Sequence, residues 1–126
     1  MFSNMRPLTT EEMLEQTCEI LKVNFKCTIM KVVGETVTAR RQSGITVVIR
    51  HQSPSNYAYI IMSPEGKQLS RVDSADHHKI PYGPDHVHSD LRKSTKNVVE
   101  TSFTYGHIGL DMKLLLKLIQ EAEDKL

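Results

Sequence analysis

Five runs rich in β-branched and aromatic residues follow one another at positions 27–33, 36–41, 45–50, 57–62 and 68–72. What separates them constrains the fold most. Gly34-Glu35, Ser43-Gly44 and Ser63-Pro64-Glu65-Gly66 are turn sequences too short for a crossover helix, so neighbouring strands must pair antiparallel as hairpins. Pro64 and Gly66 stand where a type I turn wants them. The result is a β-meander of about five strands, extended to six by a segment at 98–104.

Each end of the chain carries a helical pattern. Thr9-Thr10-Glu11-Glu12 has the form of a capping box, with Leu8 and Met13 at the staple positions. Met13, Leu14, Thr17, Cys18 and Leu21 then recur at helical spacing and predict a helix over 10–23. Near the other end, Gly109 and Asp111 precede Met112, Leu115, Leu116, Ile119 and Ala122, a second apolar stripe that should pack on the same sheet face as the first. The expected class is α+β: an antiparallel meander with N- and C-terminal helices on one face, built as a single domain over the 126 residues.

Composition narrows the partners more than the fold. With 39% hydrophobic and 25% charged residues the chain resembles an ordinary globular protein and lacks the signature of disorder. Sixteen basic against 15 acidic residues leave a formal charge of +1, so a polyanion would have to be held by a local patch. The first seven residues lack the apolar core of a signal peptide, and no stretch is long and apolar enough to span a membrane, so a cytoplasmic protein is expected. Cys18 and Cys27 have neither redox nor zinc spacing and are read as buried free thiols.

Between positions 73 and 96 the hydrophobic periodicity stops, and the expected long loop holds four of the six histidines: His77, His78, His86 and His88. Imidazole exchanges protons near neutral pH and is also the commonest transition-metal ligand. His86-Val87-His88, if extended, presents two imidazoles on one face, and His78, Asp73 or Asp85 would complete a divalent-metal site. Alternatively, two histidines with Arg71, Lys79 or Arg92 supply the base, acid and cation for RNA cleavage through the 2′-hydroxyl without a metal. The third reading is structural, with histidines and aspartates pairing to hold the loop. Arg40, Arg41 and Arg50, with Arg92, Lys93 and Lys96, are further phosphate-contact candidates against simple solvation. Tyr57, Tyr59, Tyr82 and Tyr105 are candidates for base stacking or for the core, and His51 and His107 for hydrogen-bonded or solvated roles.

The segments Tyr57-Ala58-Tyr59, Ser63-Pro64-Glu65-Gly66-Lys67, Arg71-Val72-Asp73-Ser74-Ala75-Asp76-His77-His78 and Asp85-His86-Val87-His88, followed by a leucine-rich last helix, resemble the TumE family of toxin-antitoxin proteins. The likeness runs through most of the chain in order and is densest over 57–88. It carries Arg71, Asp73, His77, His78, His86 and His88 onto the family's motif positions. It departs at Ser74 and Asp76, where asparagine and proline are common, and at Gly83-Pro84-Asp85, where a Phe-Pro-His run is usual. The resemblance implies a small prokaryotic toxin that acts on RNA or translation and is silenced by an antitoxin protein. On the acid–base reading of these positions, His86 or His88 is expected as base, His77 or His78 as acid, Arg71 as the stabiliser of phosphorane charge and Asp73 as the group that orients an imidazole. No cofactor is expected, the alternative being a divalent metal on the histidine cluster. A non-catalytic module that binds a partner chain through the open sheet face or an edge strand is the rival from another class.

Overall fold

A computed structural model describes residues 9–53, 56–74, 86–88, 99–101 and 108–126. The first helix, α1 (Thr10–Val23), begins at the expected cap: the Glu12 amide donates to Thr9 Oγ1 at 3.1 Å, and the Thr9 amide donates to Glu12 Oε1 at 2.9 Å. Two amides that would otherwise lack a partner in the helix are satisfied reciprocally. Met13, Thr17 and Leu21 form its buried stripe, while Cys18 is only half-buried. Leu8 lies outside the described residues.

Among the described residues, seven strands follow in one sheet whose spatial order is the order in sequence. They are β1 (Thr28–Val33), β2 (Thr36–Arg40), β3 (Thr46–Ser53), β4 (Asn56–Met62), β5 (Gln68–Asp73), β6 (His86–His88) and β7 (Val99–Thr101), and every neighbouring pair is antiparallel. The α+β meander with terminal helices is thus the architecture. It has more strands than the periodicity indicates, because β6 is a three-residue strand inside the segment expected to be loop. Three residues show a single alternation, too little to separate a strand from a turn. Asp73 likewise ends β5 instead of opening the loop.

On one face of the sheet Val37, Ala39, Val47, Ile49, Tyr59 and Ile61 are fully buried. They share a core with Leu21 and Phe25 and with Ile108, Leu115 and Ile119 of the second helix, α2 (Ile108–Asp124). Burying each large aliphatic or aromatic side chain contributes about 1.5–3 kcal/mol. Tyr57 and Tyr59 belong to this core, their ring centroids 5.1 Å apart, which settles them as packing residues. Asp111 falls inside α2 and is buried there, where the Tyr59 hydroxyl donates to Asp111 Oδ2 at 2.6 Å. Leu116, expected on the buried stripe, is 40% exposed, because the helix turns Leu115, Leu118 and Ile119 inward instead.

Two contacts tie the periphery. Arg41 forks onto Glu123 near the end of α2, Nε to Oε2 at 2.7 Å and Nη2 to Oε1 at 3.1 Å. Its Nη1 donates to the Phe25 carbonyl, and Ser43 Oγ donates to Glu123 Oε2 at 2.6 Å. The α1–β1 connection, the β2–β3 turn and α2 therefore meet at one bidentate pair. At the same end of the sheet Gly44 adopts φ +95°, and a Cβ there would stand 3.0 Å from Pro64 Cγ. Among the described residues no helix is long and apolar enough to cross a membrane.

Candidate functional site

The β4–β5 hairpin closes through Ser63–Gly66, where the Gly66 amide donates to the Ser63 carbonyl at 2.9 Å. That turn sets the register in which Arg71 lies opposite Ile60 and Asp73 opposite Ala58. Just past β5 the chain is clamped: the Tyr57 amide donates to Ser74 Oγ at 3.0 Å, and the Ser74 amide to the Tyr57 carbonyl at 3.2 Å. The buried Ser74 hydroxyl thereby fixes the direction in which the chain leaves Asp73.

The next pairing brings two parts of the motif together. Arg71 is opposite His88 in the β5–β6 register, and Asp73 is opposite His86. Positions directly opposite on antiparallel strands share a face, as do positions two apart on one strand. Residues 71, 73, 86 and 88 therefore occupy a two-by-two block on one face. The intervening Val72 is buried opposite Tyr59 on the helix side, so the block belongs to the face away from the helices.

Within it, Arg71 Nε lies 2.7 Å from Asp73 Oδ2, off the line a hydrogen bond needs. The Asp73 side chain is fully buried, whereas that of Arg71 is 33% exposed. A buried carboxylate is tolerated only when paired, so removing the guanidinium leaves a costly charge. The pair gives the block an anion held in place and a cation that reaches solvent.

His77, His78 and Asp85 lie outside the described residues, as do Tyr82, Tyr105, Lys79, Arg92, Lys93, Lys96 and His107. Of the metal candidates, His86 and His88 occupy alternate positions of β6, and Asp73 faces His86 in register. Among the described residues no three His, Cys, Asp or Glu side chains converge as an ion would require. His51 is half-buried opposite Tyr57 on the helix side of the sheet, away from the block. Arg40 and Arg50 are exposed. Arg41, grouped with them by sequence position, instead belongs to the Glu123 pair, which raises its own pKa through that hydrogen bond and lowers that of Glu123. Cys27 is buried, and desolvation pushes its thiol up to about 11, leaving it protonated and unreactive at neutral pH.

Sequence reasoning found the residue types of the block but not their partnership. Which histidine faces Asp73 depends on strand register, which a three-residue strand does not announce. Compared with known protein families, curated proteins and solved structures, the chain matches none.

Proposed function

We propose that this protein is a toxin-like component of a toxin-antitoxin module that cleaves RNA without a metal ion, using the β5–β6 block and the histidine pair at 77 and 78. The observation that carries this reading is the register that sets Asp73 opposite His86 and Arg71 opposite His88. A carboxylate fixed by burial is suited to orient an imidazole and to favour its protonated form once it has accepted a proton. His86, or His88 beside it, takes the proton of the 2′-hydroxyl, and the 2′-oxygen attacks the adjacent phosphorus. His77 or His78 protonates the departing 5′-oxygen as its bond to phosphorus breaks. The products are a 2′,3′-cyclic phosphate and a free 5′-hydroxyl. Arg71 meets the negative charge that builds on the phosphorane oxygens. An antitoxin protein that covers this face would silence the reaction.

The test is incubation of end-labelled RNA with the purified chain, with and without a chelator. Chelator-resistant cleavage yielding cyclic phosphate ends is expected, and His86→Ala and His77→Ala should each slow it by roughly 10²–10⁴-fold. Asp73→Asn should slow it less and shift the acidic limb of the pH profile, set by the base, to lower pH. Chelator-sensitive cleavage would make the histidines metal ligands. Wild-type protein that leaves RNA intact would favour the non-catalytic interaction module.

A further inference from the structure

The helix-free face carries a second pattern beyond the β5–β6 block. In the β2–β3 register Arg50 lies opposite Thr36, Val48 opposite Thr38, and Arg40 opposite Thr46. On β4 Ile60 faces both Val48 and Arg71, and Met62 faces Thr46. Val48, Ile60 and Met62, all half-buried, thus make a shallow apolar floor. Arg40, Arg50 and Arg71 stand at three corners around it, and the first two are exposed. Strand spacing of about 4.8 Å, with about 6.8 Å per two residues along a strand, puts the three backbone positions roughly 10–16 Å apart. The one carboxylate in the strands on this face, among the described residues, is Asp73, which is buried against Arg71. Glu35 and Glu65 sit in turns at the sheet ends.

We propose that this arginine-framed floor on β2–β5 is the binding track for a single strand of RNA, which it delivers to the β5–β6 block. The inference rests on the RNA-directed reading above for its direction of travel, and on the face itself for its ligand. Guanidiniums spaced around an apolar centre match a chain whose charges lie on its backbone and whose unpaired bases seek cover. A duplex keeps its bases stacked inside and gains nothing from Val48, Ile60 and Met62. The Thr36, Thr38 and Thr46 hydroxyls can bond both phosphate oxygens and the 2′-hydroxyl, which favours RNA over DNA.

The experiment is fluorescence anisotropy with a labelled oligouridylate, the matching oligodeoxyuridylate and an RNA duplex, titrated between about 50 and 200 mM salt. It uses the full chain carrying His86→Ala, so that cleavage does not remove the probe. The single RNA strand should bind tightest and the duplex weakest. Arg40→Ala and Arg50→Ala should each flatten the salt slope by about 0.7, the loss of one contact to a single strand. Together they should weaken binding at least tenfold at the lower salt. Ile60→Ser should weaken it without changing the slope. Lys113→Ala, which removes an exposed charge from α2, controls for net charge and should change neither. Unchanged affinity in the double arginine variant, equal affinity for the duplex, or no binding at all overturns the track. Wild-type protein that binds as described yet never cleaves leaves the track standing and removes only the catalytic reading. Cleavage with arginine-independent binding does the reverse.

Discussion

Tyr59 and Asp111 show how a single side chain ties the sheet to a helix. The phenol is buried at both ends, its ring in the core and its hydroxyl on a carboxylate in the first turn of α2. A negative charge there is also favoured by the helix dipole. Tyr59→Phe keeps the ring and removes the donor, so it should lower stability by about 1–3 kcal/mol, read as a shifted urea midpoint with an unchanged m-value. A loss below a few tenths would mean that other partners of Asp111 carry the interaction. The two thiols differ on the same physical ground. Burial raises both, but Cys27 sits in the core at about 11 and Cys18 is half-buried on α1. Near pH 8 a thiol reagent should modify Cys18 first and reach Cys27 only at the rate of unfolding. Equal rates would show that the core opens locally.

Among the elements, the β2–β3 and β4–β5 turns are packed against each other through Gly44 and Pro64. Gly44→Ala introduces a Cβ into that contact at a positive φ and should cost about 1–3 kcal/mol. Pro64→Ala makes room for it, so the double variant should lose less than the sum of the singles. Additive losses would assign the whole effect to backbone strain. α1 was legible in the sequence because its cap and its stripe agree, and β1 to β5 because each is a run rich in β-branched or aromatic residues bounded by glycine or proline. Leu116 misled because a run of three leucines, Leu114 to Leu116, fits a helical face at more than one rotation. The outer strand β1 shows another device that periodicity hides. Its register with β2 shifts between Ile29 and Lys31, and such a bulge makes an exposed edge a poorer template for another chain.

At the scale of the molecule, what can be read from sequence divides along a physical line. Residue type and local spacing nominate Arg71, Asp73, His86 and His88. Only the pairing of β5 with β6 makes them neighbours, and that depends on contacts across a segment with no period of its own. Arg41 parts from Arg40 and Arg50 for the same reason, since its partner Glu123 lies 82 residues away. The pair has a pH signature. The Arg41 hydrogen bond holds the Glu123 carboxyl below its ordinary value, so its contribution is full above the unfolded pKa of about 4.3 and is lost as pH falls through the folded value. Glu123→Gln should therefore cost about 1–3 kcal/mol at pH 7. The gap from wild type should close under acid conditions, as measured by denaturation at a series of pH values. A gap that persists at pH 3 would make the loss one of packing.

That bidentate pair also fixes a timetable. Each hairpin needs only the residues just before it, so strands can zip together in the order a ribosome releases them, but α1 covers only part of the apolar side of the sheet, and the rest stays bare until α2 arrives. Arg41 waits for a carboxylate 82 residues further along the chain, and a stop codon ahead of position 108 would release a chain that lacks Ile108, Leu115 and Ile119 and whose core is still open to water, ready for proteases or for its own kind.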